Sequence, residues 1–402
     1  MSHATDGDTP VILAGARTPF GRFRGALSPL TVNELGSHAI RHALLRAGIG
    51  PERVGHVIVG QVVLAGAGQG PARQAALGAG IGWNVPTVTI NKLCLSGLTA
   101  VIDAARLIRT GEAAFVVAAG QESMSNAPHL APGLRSGVVI GEAPLRDSLQ
   151  HDGLQDPFTG ELMGAATDRG NAERGIGRAG QDAFAARSHQ RAEAARALLA
   201  EEIAPIEVPQ RRGAPIVVAE DEGIRPGTTA EQLAGLKPAF STADDATITA
   251  GSSSPLSDGA AAVVVASKRA AEAAGLAWLC EVGAHGQTAG PDGSLHSQPS
   301  DAILAALARE GLSPGDLDAV EVNEAFASVV LQSAADLGLD PESINREGGA
   351  IALGHPVGAS GARLVLHQAM ALARTGGTGV VALCGGGGQG DALVLRSIHS
   401  AL

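Results

Sequence analysis

Asn91-Lys92-Leu93-Cys94-Leu95-Ser96-Gly97-Leu98-Thr99-Ala100 is the stretch from which the rest of this chain is read. An apolar, β-branched run from Val85 to Ile90 precedes it and reads as a strand. After it, Leu98, Val101, Ile102, Ala105, Leu107 and Ile108 recur at helical spacing as far as Arg109-Thr110-Gly111. Cys94 therefore falls at a strand-to-helix corner, where free backbone N–H groups and the helix dipole favour a thiolate. Ser96 and Gly97 are small enough to let a substrate approach the sulfur. A buried structural cysteine is the alternative reading of the same position.

Working outward, Val11-Ile12-Leu13-Ala14 reads as a buried strand and residues 32–47 as a helix ending at Gly48. Val54 to Gly60 and Ala114 to Gly120 are continuous apolar strands of the parallel-sheet type. Residues 121–250 change character, with Pro- and Gly-rich loops, one helix from Gln181 to Ile203 and an extended stretch to about Thr228. This is an insertion of the kind that shapes a site. Strand character returns from Thr247 to Ala266, with Asp258-Gly259 read as a turn before Ala260.

From Leu279 the first third replays. Gly48, Pro51, Val54, Val57 and Val59 match Gly311, Pro314, Leu317, Val320 and Val322 at 311 − 48 = 263. Arg109-Thr110-Gly111 matches Arg374-Thr375-Gly376 at 374 − 109 = 265. Two matches at nearly one offset indicate a duplicated βαβ-rich half.

The 402 residues suffice for two domains or one large composite with a substantial core. A net charge of −11, no basic run and only 2% aromatic residues argue against nucleic-acid binding. No apolar run is long enough to span a membrane, and residues 1–10 do not read as a signal peptide. Ser400-Ala401-Leu402 bears only a faint likeness to a peroxisomal tripeptide. Cys94, Cys280 and Cys384 lie far apart without metal-ligand spacing, so free thiols, a reducing compartment and a cytoplasmic protein are expected.

Three C-terminal stretches supply what a reactive cysteine needs. Glu321-Val322-Asn323-Glu324-Ala325-Phe326-Ala327 places polar residues at the end of a strand, where open α/β sheets build their sites. Gly348 to Gly361 is a glycine-rich loop presenting His355, and Leu383-Cys384-Gly385-Gly386-Gly387-Gly388-Gln389-Gly390 adds a second thiol and a glycine ribbon. Taken singly, Asn323 could be a turn residue and the ribbons tight packing; neither ribbon has the Lys-Ser/Thr ending of a P-loop.

Together these motifs resemble the thiolase family, in its acetyl-CoA acetyltransferase branch, over essentially the whole chain. The resemblance rests on Asn-x-x-Cys-x-Ser-Gly at Cys94, Asn-Glu-Ala-Phe at Asn323, Gly-His-Pro at His355 and Cys-x-Gly-Gly-Gly-Gln-Gly at Cys384. It implies an α/β fold with a five-layer αβαβα core, built from two duplicated βαβαβαββ halves with an inserted loop domain. The boundaries it implies are 1–120 and 251–274 for the first half, 121–250 for the insertion and 275–402 for the second half.

By the same resemblance Cys94 is the acylated nucleophile, His355 its base and Cys384 the second acid/base. Backbone N–H groups of Cys94 and Gly386 form one oxyanion hole; His355 Nε2 and a water held by Asn323 form the other. Arg225 matches a position at the nucleotide of coenzyme A, and Ser254 one at the pantetheine. Phe240 and Phe326 are apolar walls, and Met163 borders the acyl group. The partners implied are coenzyme A thioesters, with no cofactor beyond coenzyme A as substrate and product, no metal, and a homodimer or homotetramer.

Two departures bear on substrate choice: Leu162 stands where many biosynthetic members carry histidine, and Pro255-Leu256-Ser257-Asp258 replaces the usual Gly-x-Asn-Asp. A broad-range degradative thiolase is therefore the alternative activity. A ketoacyl-synthase-like enzyme and an inactive coenzyme A-binding subunit are weaker alternatives, the first because Cys384 sits in its own glycine ribbon. The chemistry agrees with the residues themselves. Thioester exchange suits a thiolate, and carbon–carbon bond formation needs a second base and donors for an enolate oxygen.

Overall fold

The computed structural model describes residues 6–397, and its first long element is strand β1 (Pro10–Arg17). The expectations attached to residues 1–5 and to Ser400-Ala401-Leu402 lie outside the described residues. Helix α1 (Val32–Ala47) opens with a reciprocal Thr31–Glu34 capping box and ends at Gly48, whose φ of +66° suits glycine. Then come β2 (His56–Gly60), α2 (Pro71–Gly78), β3 (Thr87–Ile90), α3 (Ser96–Arg109) and β4 (Phe115–Ser123). The insertion carries α4 (Met163–Arg174), α5 (Arg178–Ala194) and α6 (Arg196–Glu202) among loops. Strand β5 (Ser257–Ser267) then returns to the first half. The second half runs β6 (Cys280–Ala289), α7 (Gln298–Glu310), β7 (Ala319–Val322), α8 (Ala327–Leu337), α9 (Ser360–Thr375), β8 (Thr378–Gly385) and β9 (Gln389–Arg396).

The strands follow the order β7-β8-β9-β6-β1-β5-β4-β2-β3. Strand β2 is parallel to β3 and β4, and β7 to β8; the other neighbours are antiparallel. The halves meet where Val11 and Ile12 pair with Glu281 and Cys280. Equivalent elements repeat at the expected spacing: β2 to β7 is 319 − 56 = 263 residues, and α3 to α9 is 360 − 96 = 264.

Alternation along the strands divides the interior into layers. On β4, Phe115, Val117 and Ala119 face the core beneath α1 and α2, whereas Val116 and Ala118 face α3. The middle layer, α3 with α9, is buried between the two halves of the sheet, contacting Val263 and Val265 on one side and Val381, Leu383 and Leu393 on the other. Helices α7 and α8 cover the outer face of the second half of the sheet through Ile303, Leu307 and Val330. The result is the αβαβα sandwich, and its middle helices both begin beside the catalytic candidates.

The insertion is bolted to the first half through Arg17, which is fully buried on β1. Its guanidinium donates to Glu202 Oε2 at 2.8 Å and to both oxygens of Asp221 at 2.7 and 2.8 Å. Charge-assisted bonds of this forked kind fix geometry as well as energy.

Three expectations are corrected. The single helix over Gln181 to Ile203 is two, broken at Ala195, because α6 turns to bring Leu199 into a small core with Phe20 and Glu202 onto Arg17. A helix, α4, occupies part of the stretch read as loop. Asp258-Gly259 is no turn but lies inside β5, where Asp258 Oδ1 accepts the Ser125 N–H at 2.9 Å. Gly259 is required there for contact: a Cβ would lie 2.4 Å from the Phe20 ring.

Candidate active site

Cys94 lies in the loop between β3 and α3, two residues before the helix begins. The turn is tight. Asn91 Oδ1 accepts the Leu93 N–H at 3.1 Å, and Ser96 Oγ accepts from Lys92 N at 2.8 Å and donates to Leu93 O at 2.6 Å. Leu93 takes φ +54°, a left-handed conformation that costs a branched side chain energy. Lys92 Nζ reaches Asp391 Oδ1 on β9 at 2.6 Å, tying this loop to the other half.

His355 sits on the loop entering α9. Its Nδ1 lies 2.6 Å from Ser360 Oγ, which also reaches Pro356 O at 3.1 Å; with the hydroxyl donating to that carbonyl, Nδ1 is assigned as the protonated nitrogen. Nε2 is then left with its lone pair, facing Asn323 Nδ2 at 3.4 Å. Burial, with the Arg363 charge added, holds the imidazole down to about 4, so it is neutral at pH 7. Asn323 follows β7 directly and is fully buried.

Cys384 lies near the end of β8 and is buried in an apolar group with Ile248, Leu295, Ala325, Phe326 and Val329, flanked by Met163 and Phe240. Gly386 comes next but one. Its N–H and that of Cys94, the pair expected to form one oxyanion hole, both favour the Cys94 thiolate. Burial raises the Cys384 thiol strongly, and a charge on Cys94 raises it further.

One expectation does not hold. The corner was expected to lower the Cys94 pKa, and instead burial, with the Glu122 carboxylate adding to it, pushes the thiol up to about 11. The residue keeps partial exposure, but protein atoms crowd its sulfur. Among the described residues, no side-chain hydrogen bond links it to His355. Cys94 is therefore a thiol at rest, ionised only when a base takes its proton. Cys280 is fully buried on β6, its thiol raised by burial and by Glu281.

The loops of the two halves touch backbone to backbone. A Cβ on Gly97 would lie 2.8 Å from Gly358 O, one on Gly120 2.1 Å from the same oxygen, and one on Gly361 2.2 Å from Leu98 N. Glycine at these positions lets the His355 loop and the Cys94 loop approach.

Comparison with known proteins identifies the family. The family described as thiolase, N-terminal domain, matches residues 10–269, and thiolase, C-terminal domain, matches residues 262–397. The chain belongs to the thiolase family. This thiolase is 56% identical, over 96% of its length and 100% of the relative's, to a protein of Mycolicibacterium smegmatis named a probable acetyl-CoA acetyltransferase. It is 55% identical to a Mycobacterium tuberculosis protein of the same name, over 97% of this chain and 99% of that one. An acetyl-CoA acetyltransferase of Cupriavidus necator is 45% identical, over 96% and 98%.

The remaining candidates of this thiolase fall in two places. Arg225 is exposed on the rim of a cavity of about 260 Å³, shared with Arg22, His189, Ser253 and Pro255. Ser254 lies alongside, its N–H donating to Ala325 O at 3.0 Å, which joins that rim to the Asn323 loop. Met163, Phe240 and Phe326 lie instead beside Cys384. The two rings meet edge to face at 5.9 Å, and Gly164 makes room for Phe240, whose ring a Cβ would approach to 2.4 Å.

The sequence reading passed over Ser360, Arg22 and His189. Ser360 had a signal, a hydroxyl five residues after His355 in the same glycine-rich loop. The other two had none, since only the fold brings them to Arg225.

Proposed function

We propose that this thiolase joins two molecules of acetyl-CoA into acetoacetyl-CoA and free coenzyme A, and runs the reverse cleavage. The observation that carries the reading is the second thiol. Cys384 feels the charge of Cys94, and its glycine ribbon packs on the nucleophile loop, where a Cβ on Gly386 would lie 2.8 Å from Leu93 Cδ1; an acyl hydrolase has no use for a second sulfur there.

The resting protonation states give a balanced sequence. Cys94 attacks the acetyl carbonyl and its proton passes to neutral His355 Nε2. The oxyanion rests on the N–H groups of Cys94 and Gly386. Coenzyme A leaves as a thiol with the proton of Cys384, so acetyl-Cys94, imidazolium and the Cys384 thiolate remain. That thiolate takes an α-proton from the second acetyl-CoA. The enolate oxygen is held by His355 Nε2–H and by Asn323 through water. The carbanion attacks acetyl-Cys94, the Cys94 sulfur departs, and the imidazolium returns its proton.

Arg225, with Arg22 and His189 in the same cavity, would hold the phosphates, and Ser254 the pantetheine. Short chains are preferred: Met163, Phe240, Phe326 and Leu295 close the space beside Cys384. The relatives named acetyl-CoA acetyltransferase support the same substrate. Exposed Val138, Val139 and Ile140 on the inserted loop support a homodimer or homotetramer. The free cysteines fit a cytoplasmic protein, and among the described residues no helix is long and apolar enough to cross a membrane.

The test is cleavage of 3-ketoacyl-CoA by coenzyme A across a chain-length series. An open tunnel would add about 0.8 kcal/mol per methylene, whereas overpacking costs roughly 1–3 kcal/mol. Acetoacetyl-CoA should have the highest kcat/KM. A steady rise toward ten carbons would make the protein a general degradative thiolase, and no cleavage at all would refute the activity.

A further inference from the structure

Glu122 ends β4 and is fully buried, yet no cation pairs with it among the described residues; its hydrogen bonds come from three backbone N–H groups. Its Oε2 accepts from Val62 N at 2.9 Å and from Gly358 N at 3.1 Å, and its Oε1 from Val63 N at 3.2 Å. Burying a carboxylate is costly, and an apolar side chain would fill the space at less cost. What the carboxylate does that an apolar group cannot is accept N–H groups from two different segments at once.

Those segments lead to the two catalytic loops. Gly358 is three residues past His355, pressed so closely on the Glu122 region that a Cβ would lie 2.7 Å from Gln121 O. Val62 receives Asn91 Nδ2 on its carbonyl at 3.1 Å, and Asn91 in turn accepts the Leu93 N–H beside Cys94. A continuous chain of hydrogen bonds thus runs from the His355 loop, through Glu122 and Val62, to the nucleophile loop.

We infer that Glu122 is a positioning residue for the reaction, holding the His355 loop and the Cys94 loop in register across the boundary between the halves. The inference rests on the roles proposed above for Cys94 and His355. The carboxylate also acts through its charge. Asp258 on β5 and Cys94 are the ionisable groups that face Glu122, and its other partners are main-chain N–H groups. Burial holds Glu122 up to about 7, and its negative form disfavours the Cys94 thiolate.

The test uses Glu122→Gln and Glu122→Asp in the full-length protein, with thermal unfolding as a check on folding. A glutamine must turn its NH2 toward at least one N–H that Glu122 accepts, so the loops separate. Displacement of about 1 Å at a catalytic pair can cost on the order of 10²-fold in rate. For Glu122→Gln we expect kcat to fall by about that factor, with KM for coenzyme A near the wild-type value, since Arg225 and Ser254 are held by other segments. Iodoacetamide should alkylate Cys94 at lower pH than in the wild type, because the neighbouring charge is gone. Faster alkylation with slower acetyl transfer is a divergence that mere loosening of the fold does not produce.

Glu122→Asp keeps the charge and shortens the reach, so kcat should fall while the alkylation profile stays in place. A folded Glu122→Gln protein with wild-type kcat overturns the inference, as does parallel loss of acetyl transfer and alkylation. If Glu122→Gln does not fold, Glu122→Asp decides: lowered kcat at unchanged KM supports the inference and unchanged kcat overturns it. Wild-type protein that takes no acetyl group on Cys94 would instead overturn the proposed function itself.

Discussion

Replacing Gly361 by alanine should disable the enzyme far more than it destabilises it. The new Cβ would lie 2.2 Å from Leu98 N, 2.8 Å from Leu98 Cβ and 2.9 Å from Gly97 C. Two of these atoms are backbone, so no side-chain rotation relieves the contact. Ordinary contact begins at 3.4 Å, so α9 and α3 must separate by about 3.4 − 2.2 = 1.2 Å at their first turns. That shift carries His355 away from Cys94, and misplacement of this size costs on the order of 10²-fold in rate. Stability is less affected: overpacking costs roughly 1–3 kcal/mol, and alanine in a helix returns at most about 1 kcal/mol over glycine. Acetoacetyl-CoA cleavage and thermal unfolding should be measured together. Gly315→Ala, whose nearest neighbour is 3.9 Å away, serves as the control. A Gly361→Ala protein with a wild-type rate would refute the claim that backbone contact between α3 and α9 sets the catalytic geometry.

The other predictions are briefer. Cys384→Ala should accept an acetyl group on Cys94 but lose condensation and cleavage by roughly 10²–10⁴-fold, the usual worth of general acid–base help. Slower loading is expected too, because the leaving coenzyme A loses its proton donor. Equal loss in both half-reactions would make Cys384 structural. Arg17→Met should destabilise by about 3–5 kcal/mol near neutral pH, because it strands the buried carboxylates of Glu202 and Asp221. Burial alone would raise the Glu202 pKa, but His367 and Arg17 outweigh it and hold the carboxyl low. Its stabilising contribution is therefore present above the ordinary glutamate range and lost as pH falls through the depressed value. The Arg17→Met deficit should shrink in acid; a deficit independent of pH in denaturant unfolding would contradict the charge argument.

What could be read from the sequence follows the range of the interactions. The continuous apolar runs of β4 and β5, buried on both faces, the Gly48 stop of α1 and the corner at Cys94 are local, and composition and punctuation expose them. The duplication was legible because equivalent turns recur at one offset. Helix α4 was not, because its buried face is Gly164, Thr167, Asp168 and Asn171 and not an apolar stripe. The ionisation of Cys94 was misread for a related reason: the helix start is local, whereas the burial that outweighs it comes from the folded loops. Glu122 was invisible, since its partners lie 59, 60 and 236 residues away. His355, Asn323 and Cys384 were found through motifs, but their mutual geometry belongs to the contact between the halves.

The most direct test is to incubate the protein with acetyl-CoA, quench it and locate the acetyl group by peptide mass spectrometry. The account predicts a thioester on the peptide carrying Cys94, and its discharge when coenzyme A is added. Acetylation confined to Cys384 or Cys280, or none at all in protein that cleaves acetoacetyl-CoA, would contradict it.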